Sequence, residues 1–195
     1  MNSRFSKKSM ETSYKAVVEM CEGLSLRPFF GTLLGFTRDG DFIHNDDDID
    51  VVVEKNQLEE LTKRLEDSAQ RFHISERGPL GNGILKWYIP GNLYFFLGVL
   101  PRRQSLRIDF YIAERTIDGD YVQIDSHWNK RDILKVPSDR FGLVPKVGSP
   151  IEAYSQKEMQ DLCKWLYGTG WNQKRDKSLY SVRIDNDGAP VVEGD

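Results

Sequence analysis

Four aspartates, Asp46, Asp47, Asp48 and Asp50, fall within five positions of the stretch HNDDDID (44–50), and the apolar run Val51-Val52-Val53 follows at once. An extended chain sends successive side chains to opposite faces. Asp48 and Asp50 therefore share one face, while Ile49, Val51 and Val53 share the other. The stretch SLRIDFYI (105–112) repeats the pattern: Leu106, Ile108, Phe110 and Ile112 make an apolar face, and Arg107, Asp109 and Tyr111 the opposite one. If the two strands are neighbours, Asp48, Asp50 and Asp109 converge. Two unit charges 4 Å apart repel by roughly 4 kcal/mol at an effective dielectric of about 20, so the cluster calls for a cation. Hard oxygen ligands suit Mg²⁺ or Mn²⁺. A pair of such ions about 3.5–4 Å apart can activate an attacking oxygen and stabilise a leaving phosphate oxygen. Either acidic run alone reads equally well as a solvated loop or an exposed strand face; the joint pattern favours a site.

The glycine-rich stretch GTLLG (31–35) lies just upstream. It can open a short helix whose free N–H groups meet an anion, with Gly31 permitting close backbone approach and the Thr32 hydroxyl able to donate a hydrogen bond. Arg38 can form a bidentate phosphate pair, against the plainer reading of a surface salt bridge. Arg107 shares a face with Asp109 and can pair with that acid or reach a phosphate, and Arg102 and Arg103 add positive charge nearby. The stretch is neither a Walker A loop, for no Gly-Lys-Ser/Thr follows, nor a dinucleotide fingerprint. Asp46 is a lesser candidate that shapes the loop or supports the ligands, and Asp47 is left out. His44, His73 and His127 lack metal-ligand spacing. Trp87, Tyr88, Tyr94, Phe95 and Phe96 read as core or sheet face, and Trp165 and Trp171 as packing.

Elements that hold these residues can be read from periodicity. Met10, Tyr14, Val17, Val18, Cys21 and Leu24 recur at helical spacing over roughly 8–24. Arg27 to Phe30 reads as a short strand, Thr32 to Phe36 as the first turns of a helix, and Asp39-Gly40 as a turn. Ile49 to Val53 is a strand. Asn56 can cap a helix running to Asp67 with Leu58, Leu61 and Leu65 inward. Strands follow at 71–75, 83–89, 93–100, 105–112 and 120–124. Residues 132–148 look like loop, and a last helix spans about 155–167. This order predicts an α+β or α/β fold with a mixed sheet flanked by helices, in one domain over 1–184 with a flexible acidic tail over 185–195.

The 195 residues are long enough for one core. A net charge of −3 argues against a nucleic-acid partner. No run of about 18 apolar residues suggests a membrane span, and no apolar stretch of the kind found in secretory signals follows Lys7-Lys8. Cys21 and Cys163 read as buried thiols, which fits a cytoplasmic setting.

The stretch GTLLGFTRDGDFIHNDDDIDVVV (31–53) resembles the LicD family, fukutin-like phosphotransferases with a nucleotidyltransferase fold. The family pattern falls on Gly31 to Gly35, Arg38, Phe42-Ile43, and Asp46, Asp48, Ile49 and Asp50. RIDFYI (107–112) resembles the strand that carries the family's third acid, which implies Asp109. The stretch 144–171 resembles the family's closing proline, helix, Tyr-Gly and Trp. His44-Asn45 departs from the pattern, where relatives often have a proline followed by histidine or tryptophan. The resemblance implies a nucleotidyltransferase-like mixed sheet and transfer of a phospho-alcohol, phosphocholine-like or polyol phosphate, from a CDP-activated alcohol donor to a hydroxyl of a cell-surface saccharide or glycolipid. With it, the residues indicate Asp48, Asp50 and Asp109 as metal ligands, Asp109 as ligand or general base, and Gly31, Thr32, Arg38 and Arg107 at the donor phosphates. A true nucleotidyltransferase, or a non-catalytic accessory domain of glycan assembly, would use the same frame.

Overall fold

Two strands dominate the core of the computed structural model, which describes residues 7–44, 46, 48–68, 71–75, 84–90, 105–125, 133–173 and 182–191. Strand β2 (Asp48–Glu54) lies parallel to β5 (Ser105–Arg115), with Asp48 opposite Arg107 and Asp50 opposite Asp109. A parallel pair needs a long crossover, and residues 55–104 supply it. On the free edge of β2, β1 (Arg27–Pro28) pairs antiparallel. β5 also pairs antiparallel with β4 (Ile84–Pro90), and β4 with β3 (Arg71–Ser75). β6 (Tyr121–Asp125) joins the end of β5 and carries β7 (Ile133–Pro137), completing a mixed seven-stranded sheet.

Alternation along β2 and β5 sorts the core into two layers. Ile49, Val51, Val53, Ile108, Phe110 and Ile112 pack with Met10 and Val17 of α1 (Lys7–Met20) and with Leu61 and Leu65 of α3 (Leu58–Asp67). Val52, Tyr111 and Ala113 face the other way. There they meet α2 (Phe30–Asp39), α4 (Ser138–Leu143) and α5 (Lys157–Tyr167) through Leu33, Phe36, Phe141, Met159 and Leu162. Each such fully buried side chain stabilises by about 1.5–3 kcal/mol. The acids share this second face. The expected α+β class with a mixed sheet and flanking helices is the one observed.

Several boundaries differ from expectation. The first helix stops at Met20, and Cys21 to Leu24 form a turn with Gly23 at φ 82°. Only Arg27 and Pro28 form the strand, because Phe30 already starts α2. Asn56 sits inside a 3₁₀ turn (Lys55–Gln57) rather than capping α3. The stretch read as loop over 132–148 contains β7 and α4. Its short Ile-Leu-Lys-Val-Pro strand buries Leu134 and Val136, and two prolines had masked it. Within the stretch expected as an acidic tail, β9 (Pro190–Val191) pairs back with β8 (Arg183–Ile184), which ends the expected domain, and the Lys135 N–H donates to Gly188 O at 2.8 Å. The strand expected at 93–100 lies outside the described residues. Among the described residues, no helix is long and apolar enough to cross a membrane.

Candidate active site

The first turn of α2 is stitched to the start of β2. Phe29 N–H donates to Asp50 O at 3.1 Å, and Asp50 N–H donates to Thr32 Oγ1 at 2.9 Å. Gly31 N–H donates to Asp50 Oδ2 at 3.0 Å. The Asp50 carboxylate therefore occupies the positive end of α2, where exposed N–H groups and the helix dipole favour an anion. A Cβ on residue 31 would lie 3.0 Å from Asp50 Oδ2 and 3.3 Å from Asp46 Oδ2, so glycine is what lets both acids close on the helix. Phe30, the residue before it, holds φ at 40°, a conformation that costs of order 1–3 kcal/mol in a non-glycine residue. Its ring packs edge-on to Tyr111 with centroids 4.8 Å apart.

Gly35 does the equivalent work one turn on. Its missing Cβ would fall 2.6 Å from Asp41 O and 2.8 Å from Ile43 N. The chain can thus fold back along α2 after Gly40, which caps the helix at φ 64°. Asp46, whose N–H donates to Ile43 O at 3.1 Å, returns to the site 3% exposed.

Oxygens of Asp48, Asp50 and Asp109 lie within 4.8 Å of one another, all three residues buried. Arg107 pairs with Asp48 Oδ2, and its Nε lies 3.0 Å from Asp109 Oδ1. Lys86, opposite Asp109 on β4, places Nζ 3.7 Å from Asp109 Oδ2. Tyr111 Oη donates to Asp50 Oδ1 at 3.2 Å. Both oxygens of Asp50 are thereby oriented, one by Gly31 and one by Tyr111.

Burial pushes the Asp50 carboxyl well above the carboxylate range, and Asp48, Asp46 and Asp109 add to the shift. Burial likewise raises Asp109, to about 6, against the opposing pull of Arg107 and Lys86. Tyr111 is pushed well above its ordinary value, first by burial and then by the three acids, so it keeps its proton and remains a donor. Four buried carboxylates, Asp46, Asp48, Asp50 and Asp109, face two cations, Lys86 and Arg107. With every acid ionised, two negative charges are left over, the charge of one divalent cation. The all-oxygen donor set fits Mg²⁺ or Mn²⁺.

The structure brings Asp48, Asp50, Asp109, Gly31 and Arg107 together. Thr32 is 1% exposed, and its oxygen holds the backbone of Asp50 rather than opening toward solvent. Arg38 stands seven residues beyond Gly31, about 10 Å along the helix. It forms a bidentate pair with Asp39, at 3.0 and 2.6 Å. The Arg38 side chain is 6% exposed. Lys86 and the orienting role of Tyr111 were missed. The signal for Lys86 was present, a lone cation between Leu85 and Trp87 in an otherwise apolar strand. Trp87, Trp165 and Trp171 pack against the cores. His44 is exposed; Asp47, Arg102, Arg103 and His127 lie outside the described residues, as does the side chain of His73.

The family model of the LicD/FKTN/FKRP nucleotidyltransferase domain matches residues 29–149, more than half of the chain and every acid of the cluster. The chain belongs to the LicD family. No curated protein matches it. LicD membership gives the domain a phosphotransferase- or nucleotidyltransferase-like role in glycan modification. Asp48, Asp50 and Asp109, the residues of the buried cluster, all lie within the matched stretch.

Proposed function

We propose that this LicD domain transfers a phospho-alcohol, phosphocholine-like or polyol phosphate, from a CDP-activated donor to a hydroxyl of a saccharide or glycolipid. Asp48, Asp50 and Asp109 would hold Mg²⁺ or Mn²⁺. The observation that carries the reading is the meeting of three buried carboxylates, from two parallel strands, at the first turn of a helix where Gly31 admits the Asp50 and Asp46 carboxylates. When bound, a divalent cation supplies charge neutralisation to the donor phosphates and to the developing charge on the leaving group.

The remaining work falls to this chain's residues. The acceptor hydroxyl oxygen attacks the phosphorus that bears the alcohol, the P–O bond to CMP breaks, and CMP leaves as an anion. Asp109 takes the hydroxyl proton. In the metal-free site burial raises its carboxyl to about 6, so it is ionised at neutral pH. Arg107, about a third exposed, offers a guanidinium to the donor phosphates. Gly31 lets Asp50 close on the first turn of α2, Thr32 holds Asp50 in place, and Arg38 serves the outer end of the donor.

A panel of CDP-choline, CDP-ribitol, CDP-glycerol and NTPs with Mg²⁺ tests the proposal. The preferred donor should raise apparent stability most, and transfer from it should release CMP. Asp48→Asn and Asp109→Asn should abolish transfer while keeping the native circular dichroism spectrum; undiminished turnover in both refutes the assignment. Pyrophosphate released from an NTP would instead mark a true nucleotidyltransferase.

A further inference from the structure

The acid cluster does not end at β5. On the next strand, Lys86 is the direct antiparallel partner of Asp109 and faces the same side of the sheet. Its neighbours Leu85 and Trp87 are buried in the opposite core, so the alternation of β4 leaves Lys86 no other direction. Lysine is seldom buried unless paired, and here the side chain is 18% exposed while that of Asp109 is 5% exposed. The Lys86 side chain is therefore largely covered, though less so than that of Asp109. At 3.7 Å from Asp109 Oδ2 its ammonium is held by charge and lies beyond hydrogen-bond length. An ammonium carries three rotatable donors. Arg107 stands on β5 two residues from Asp109, diagonal to Lys86. Such diagonal pairs lie about 7–8 Å apart on a sheet face. Two cations so placed flank Asp109 along a line that crosses from β5 toward β4.

We propose that Lys86 is a phosphate-binding residue, and that the donor's diphosphate lies across β5 between Arg107 and Lys86. This rests on the reading of the site as one for a phosphorylated donor. It extends the site from the acid-bearing pair of strands to a third strand and assigns a role to a residue outside the acid motif. A diphosphate presents anionic oxygens at both ends, and the paired cations meet one end each. A single carboxylate ligand such as acetate would engage only one of them.

The test uses the whole chain with Mg²⁺ and two probes, inorganic pyrophosphate and CDP, with Mn²⁺ alone as a third titration. Lys86→Met keeps the stem and removes the charge; Lys86→Arg restores it. Loss of one charge-assisted contact corresponds to about tenfold or more in affinity. Lys86→Met should weaken pyrophosphate and CDP by at least that factor, Lys86→Arg should recover most of it, and Mn²⁺ affinity should stay within about threefold or tighten. Unchanged phosphate binding in Lys86→Met overturns the proposal, as does an equal loss of Mn²⁺ and phosphate affinity, which would make Lys86 only a prop for Asp109. Failure of the wild-type protein to bind either phosphate probe with Mg²⁺ overturns this proposal and the parent reading together.

Discussion

Removing divalent cations and varying pH between 5 and 7 should expose the strain of crowding acids at one place. Asp109 is raised from 3.8 to about 6, mainly by burial. With a folded pKa above the unfolded one, the stabilisation carried by the retained proton is full below about pH 4 and gone above about pH 6. Stability of the metal-free protein should therefore fall as pH rises through that window. A shift of two units corresponds to about 3 kcal/mol over the whole range, of which about 1 kcal/mol falls between pH 5 and 7. That converts to a melting temperature about 2–4 °C higher at pH 5 than at pH 7 for a chain of this size. Asp50, raised in the same direction, adds to it. The carboxylates with lowered values, Glu60 and Asp118, titrate below this range and do not mask it. The assay is thermal unfolding in chelator across the pH series, for wild type and Asp109→Asn. The variant should show a shallower slope, since its amide carries no proton equilibrium. Excess Mg²⁺ should reverse the order in wild type, because the cation needs ionised ligands. Identical slopes in wild type and Asp109→Asn would refute the reasoning.

Tyr111→Phe removes the hydroxyl that orients Asp50 and should lower turnover at least tenfold with the fold intact; equal turnover would show that Gly31 alone suffices. Gly35→Ala drives a methyl into backbone at 2.6 and 2.8 Å and should cost about 1–3 kcal/mol in denaturant unfolding. Cys21 and Cys163 are free and buried, each pushed up to about 12, so iodoacetamide at pH 8 should label neither until the protein unfolds. Their raised values also predict stability lost as pH climbs above about 9, measurable by thermal melts in alkaline buffer.

The acid cluster was legible because period-two alternation fixes which side chains share a face, and the pairing of Asp50 with Asp109 follows once the strands lie side by side. The core on the opposite face, against α1 and α3, was legible for the same reason, as the Leu106, Ile108, Phe110 and Ile112 stripe shows. Lys86 was harder to see. Its meaning depends on register with a strand about twenty residues away, and a lone lysine in an apolar strand carries no local mark of its partner. Thr32 was read as a ligand-facing hydroxyl because glycine-rich turns often meet anions. The anion at this helix end is Asp50, a tertiary contact outside the reach of local pattern. β7 and α4 escaped because they are only five and six residues long, with Pro137 ending the strand and Pro145 following the helix.

The acids stand on strands that run in parallel and are separated by a long crossover. Asp50 and Asp109 are 59 positions apart, and no hairpin can bring them together. Closing that loop is costly before any contact rewards it, which makes such pairings slow to form. A cation held by all three acids would thus arrive only after the central pair has docked. Mg²⁺ should accordingly slow unfolding in stopped-flow experiments and leave the refolding rate nearly unchanged, so that the ion acts as a latch on the finished molecule and not as a template for building it.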